Sequence, residues 1–90
     1  MVSKNKYAFL IEANAVILSS TSGILETSGK ARAELALQFK INGENQVAKT
    51  SWLVDVNYLN LLQSGNEIAI KYDQANPKTI YPNLSWAKKI

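Results

Sequence analysis

The chain has 90 residues, is 47% hydrophobic and 19% charged, and carries a formal net charge of +3. One modest domain follows, since a chain this long buries roughly 60–65% of the surface its unfolded form exposes, and its alternating aliphatic runs argue against disorder. Cysteine and histidine are both absent, which excludes disulfides, thiolate chemistry, the usual general base near neutral pH and the commonest transition-metal ligand.

Tyr7 to Ser20 opens the chain with nearly continuous apolar sequence, including Phe9, Ile11, Val16, Ile17 and Leu18. These β-favouring residues, unbroken by Gly or Pro, predict one long strand bent near Asn14. A helix over Tyr7–Ala15 is the competing reading. Ser19 to Lys30 is small and polar, and predicts a loop whose Ile24 and Leu25 dip toward the core edge. It reads as a connector.

Ala31 to Ile41 alternates without a fault. Ala31, Ala33, Leu35, Leu37, Phe39 and Ile41 share one face, and Arg32, Glu34, Ala36, Gln38 and Lys40 share the other. Asn42-Gly43 then signals a hairpin, because both residues tolerate positive φ. For the return strand, Gln46 to Val56, the loop must contain an even number of residues. An even loop sets Ala48, Thr50, Trp52, Val54 and Val56 on the Leu35–Phe39 face, whereas an odd one would put Lys49 and Asp55 there.

Asn57 to Gly65 predicts one or two helical turns, with Asn57 as N-cap, Gly65 at the C-terminal end and Leu59 and Leu62 plugging one end of the sheet. Glu67 to Asp73 alternates again, with Ile68, Ile70 and Tyr72 on one side. A Gln74–Pro77 turn leads to a short strand at Thr79–Tyr81, which Pro82 ends. Residues 83–90 form a tail in which Trp86 either docks or frays. The expected architecture is all-β: a single domain over 1–90, with a core from about 7 to 82, five strands in a small SH3-like or OB-like barrel and one helical turn near 58–64.

Nothing in this pattern is arranged for catalysis. With no His or Cys, a Ser or Thr nucleophile would need a Lys or carboxylate base, and no motif pairs them. Asp55 and Asp73 end strands, where Asp commonly caps or starts a turn. Gly23 and Gly29 flank no phosphate-binding loop, and Asn42–Asn45 is better explained as a turn than as a cation loop. The expectation is a non-enzymatic chain with no cofactor and no metal site. Four of its basic residues, Lys4, Lys6, Lys88 and Lys89, are terminal, leaving six against seven acidic residues in the body. That balance makes nucleic acid an unlikely partner and protein the expected one. Phe39, Trp52 and Tyr72 lie on core faces, so Tyr81 and Trp86, with Lys71, are the candidate partner surface. An OB-like single-stranded nucleic-acid binder using Lys40, Lys49 and Lys71 is the alternative. The most apolar run, Tyr7–Leu18, contains Glu12 and Asn14 and falls short of the ~20 residues of a helical span, so no transmembrane segment is expected.

Ala15-Val16, the alternating strand, Asn42-Gly43 and the ending Gly65-Asn-Glu-Ile-Ala-Ile-Lys-Tyr-Asp-Gln-Ala-Asn-Pro77 together resemble a family of bacterial membrane-associated proteins of unknown function. The small β module of that family ends in a Y-D-P-x-N-P-like motif, and Gln74 stands here where the family carries Pro. The resemblance spans about residues 13–81. It implies a β-barrel module for interaction or assembly, membrane-associated or extracytoplasmic through a parent or partner protein, with no catalytic residues assigned.

Overall fold

A computed structural model describes residues 9–26 and 29–90, with residues 24–26 described by backbone alone. Six antiparallel strands form one sheet, nearly closed into a barrel, in the order β5-β4-β1-β2-β3-β6. They are β1 (Leu10–Glu26), β2 (Lys30–Ile41), β3 (Glu44–Asp55), β4 (Glu67–Asp73), β5 (Ile80–Pro82) and β6 (Ala87–Lys89), with a 3-10 helix at Val56–Leu61 between β3 and β4. The all-β expectation holds. The strand count does not: the residues expected to be a tail contribute a sixth strand, pairing Trp52, Leu53 and Val54 of β3 with Lys89, Lys88 and Ala87.

The β2–β3 hairpin follows its alternation. Asn42 (φ 52°) and Gly43 (φ 83°) make the two-residue turn, and Ile41 pairs with Glu44. The even register carries Ala48, Thr50, Trp52 and Val54 into the interior beside Leu35, Leu37 and Phe39. Val56 instead begins the 3-10 helix and is only half-buried.

The first strand departs from expectation. It is a strand from Leu10 onward, which rules out a helix over the described part of Tyr7–Ala15; Tyr7 and Ala8 lie outside the described residues. It also runs through the expected loop as far as Glu26. Its N-terminal half pairs with β4 through Val16↔Glu67, and its C-terminal half pairs with β2 from Val16↔Gln38 onward. The irregularity falls at Leu18, not Asn14: Ile17 faces Leu37 and Ser19 faces Ala36, so Leu18 is the extra residue of a bulge. Loop residues following the 3-10 helix satisfy the strand there. The Gly65 amide donates to the Ile17 carbonyl (2.7 Å) and the Ser64 hydroxyl to the Leu18 carbonyl (2.9 Å). A second shift between Ser22 and Leu25 includes Gly23, where a Cβ would sit 3.3 Å from the Arg32 carbonyl. The expected inward turn of the Ile24 and Leu25 side chains lies outside the described residues.

The interior joins Ala15 and Ile17, the inward rows of β2 and β3, Ile68, Ile70, Tyr72, Ile80 and Ala87. Phe39 and Tyr72 pack with ring centroids 5.3 Å apart. Between β3 and β5 the barrel closes through side chains. The Thr50 hydroxyl and the Trp52 indole N–H both donate to the Ile80 carbonyl at 3.3 Å. Outside, the Lys89 ammonium lies 5.9 Å from the centre of the Tyr81 ring.

Candidate functional site

Three acidic side chains serve local structure. Asp55 accepts from the Asn57 amide (2.9 Å) and is therefore the N-cap in place of Asn57. Asp73 accepts from the Ala75 amide (2.8 Å) at the start of the β4–β5 turn. On the outer face, Glu34 accepts from the Ser51 hydroxyl (2.6 Å) and from Arg32 Nε (2.9 Å). The Ser51 hydrogen bond, then that of Arg32, holds the Glu34 carboxyl below its ordinary value. Among the described residues, no three His, Cys, Asp or Glu side chains are gathered where they could hold a metal ion.

Of the three expected surface residues, Lys71 and Tyr81 are cross-strand neighbours, and Trp86 lines a cavity beside the same outer row of β4. Glu67, Ala69 and Lys71 point outward from β4, since Ile68, Ile70 and Tyr72 point inward. Lys71 stands directly across from Tyr81 of β5 on one side and from Glu12 of β1 on the other. Two residues back along the row, Ala69 lines a cavity of about 370 Å³ with Trp86, Leu84, Leu61, Ile68 and Glu67. The ring of Trp86 stacks on Tyr58, with centroids 5.0 Å apart and planes 9° from parallel.

The geometry of the short helix explains the wall of this groove. In a 3-10 helix, side chains three apart eclipse one another. Leu59 and Leu62 therefore share the inward side: Leu62, joined to the Leu59 carbonyl by its own amide at 3.0 Å, is buried, and Leu59 packs against the core. Tyr58 and Leu61 share the outward side and are 39% and 43% exposed. Across the groove, β5 pairs with β4 only over Ile70, Lys71 and Tyr72, and the Asn83 amide adds one bond to the Ala69 carbonyl. Among the described residues no strand pairs with the edge of β4 at Glu67–Ala69, which borders the cavity. Sequence reasoning missed Tyr58, Leu61 and Leu84 as surface residues. A tryptophan in a nominal tail was the available signal, because such a residue needs something to dock on.

Each lysine of the nucleic-acid reading shares a cavity lining or a cross-strand pairing with a carboxylate, and among the described residues none of the three forms an ion pair. Lys40 lines a cavity of about 320 Å³ with Glu67, Lys49 lines one of about 280 Å³ with Glu34, and Lys71 faces Glu12. Phe39 and Trp52, the aromatics of β2 and β3, are both interior. No protein-family model, curated protein or solved structure gives a significant match to the chain.

Proposed function

We propose that this chain is a non-enzymatic β-barrel module that binds an extended apolar segment of a partner protein along the Tyr58–Trp86 groove. The observation carrying this reading is the conjunction of a stacked aromatic pair, exposed Leu61 and a stretch of β4 edge that no strand pairs with among the described residues. Aromatic anchors next to an open strand edge suit a peptide that adds backbone hydrogen bonds while its apolar side chains enter the pocket. Lys71 and Tyr81 extend the surface along the outer row of β4 and would meet a polar or acidic end of that segment.

We further assign the barrel to the oligonucleotide/oligosaccharide-binding kind rather than the SH3-like kind. Support comes from the bent β1, shared between β2 and β4, and from the sheet order β5-β4-β1-β2-β3, whose ends meet through the side-chain bonds of Thr50 and Trp52 to Ile80, with β6 added along β3. This topology favours a second reading, single-stranded nucleic-acid binding on the outer β2–β3 face through Lys40 and Lys49. The near-balance of charge in the body of the chain and the inward aromatics of both strands weigh against it, since such sites combine unbalanced cations with exposed rings. The family resemblance adds a membrane-associated setting reached through a parent or partner protein. Among the described residues, no helix is long and apolar enough to cross a membrane.

Titrating a panel of extended apolar peptides while recording amide shifts tests the reading. Shifts should cluster at Leu61, Ala69 and Trp86 and disappear in a Tyr58→Ala/Trp86→Ala variant. Salt-dependent shifts at Lys40 and Lys49 on adding single-stranded DNA, with none from any peptide, would transfer the function to the second reading. Turnover of a substrate would defeat both.

A further inference from the structure

A further stretch of unpaired strand edge belongs to β3. Its even-numbered residues bond to β2 across the two-residue turn, and its odd-numbered residues bond the opposite way: the Asp55 amide donates to Trp86 and the Ser51 carbonyl accepts from Ile90, both at 3.0 Å. The cover ends there. Among the described residues no strand pairs with the edge presented by Asn45, Val47 and Lys49. Val47, at 55% exposed, is the apolar residue at the middle of this edge. An edge of this kind is a template for another strand.

We propose that this edge pairs antiparallel with the same edge of a second copy, on a twofold axis through Val47. The register is set by the residues. A twofold axis normal to the sheet keeps the outward faces together, so each outward residue must meet an outward residue. Centring on Val47 places Val47 against Val47 and puts each Asn45 opposite the second copy's Lys49, where the amide oxygen accepts from the ammonium. A register centred on Lys49 would oppose two cations, one centred on Asn45 would leave both valines unmatched, and those centred on Gln46 or Ala48 would set each Val47 against a polar side chain, Asn45 or Lys49. In the Val47 register Asn45, Val47 and Lys49 all present outward-pointing N–H and C=O groups, so the ladder is complete along the open stretch.

Because the chain contains no cysteine, single cysteines can report the register. Directly paired residues of this type have Cα atoms about 5.5 Å apart, within disulfide reach. Under mild oxidation at high concentration, Val47→Cys should form a covalent dimer many times faster than Asn45→Cys, which faces lysine rather than itself. In sedimentation, the unmodified chain should approach twice its 10.0 kDa mass as concentration rises. Val47→Asp, which opposes two charges on the axis at an exposed position, should remain monomeric with an unchanged circular dichroism spectrum. A chain that stays at 10.0 kDa at every concentration, or an Asn45→Cys variant that crosslinks as fast as Val47→Cys, would overturn the proposal.

Discussion

The β2–β3 hairpin and the seam between β3, β6 and β5 both enclose apolar side chains, but by different means. The hairpin uses local rules: a strict two-residue period, a turn of Asn42 and Gly43 at positive φ, and twelve consecutive cross-strand pairs. The seam uses residues distant in sequence, with three pairs to β6, two side-chain donors on one Ile80 carbonyl, and a cation over Tyr81. Local pairing fixes register from the sequence itself, whereas the seam is specified only once the rest of the barrel exists. The groove is built at the less local of the two regions.

Substitutions can probe each side of that comparison. Trp52→Ala should have the largest effect, because Trp52 is fully buried on the hairpin and also donates to the seam. A loss of about 3–5 kcal/mol is expected, read as a shift in the denaturant midpoint. Ala87→Asp tests the seam alone, since it places an unpaired charge in the interior at the start of β6. It should cost at least about 2 kcal/mol, while Lys88→Asp, one residue along and exposed, should stay within about 0.5 kcal/mol. Equal, small effects of the two would mean that the last residues do not form part of the barrel. For the hairpin, Gly43→Val forces a β-branched side chain into the left-handed region and should cost about 1–2 kcal/mol in thermal unfolding, with β2 and β3 retaining their register.

The smallest expected effect is electrostatic. The carboxyl of Glu34 titrates below its ordinary value of 4.5 when folded, chiefly through the Ser51 hydroxyl. A lowered folded value means that its contribution to stability is present above 4.5 and fades as the pH falls through the folded value. Glu34→Gln should therefore leave thermal stability at pH 7 little changed and reduce its decline in acid. The pair with Arg32 is exposed, so the change will be slight.

Residues whose environment is local were legible in the sequence. The inward row of β2, the even hairpin and the span Glu67–Asp73 with its Asp73 turn all follow from period and turn chemistry. β1 was harder, because the bulge at Leu18 changes which alternate residues face inward, and Ser19 to Ser22 carry no hydrophobic contrast to mark a strand. Only the ladder to β2 holds that stretch extended. β6 was illegible for a related reason: Ala87-Lys88-Lys89 is a short, mostly charged segment whose pairing depends on the edge that β3 offers. Of the candidate surface, Lys71, Tyr81 and Trp86 were visible as undetermined aromatics and a neighbouring cation. Tyr58 was equally undetermined, and neither it nor Leu61 could be assigned to the groove, because the Trp86 that completes it is distant in sequence.

Amide hydrogen exchange at Asp55 and Ile90 examines the role of the C-terminal segment most directly. Both amides are bonded across the β3–β6 junction, to Trp86 and Ser51 respectively, and the same junction positions Trp86 against Tyr58. A docked strand predicts that the Asp55 amide exchanges only when the C-terminal segment opens away from β3, and that Ile90 is slowed well below a chain end in solution. Exchange of both at the rate of an unstructured chain, while the hairpin amides stay protected, would contradict the seam and the groove built on it.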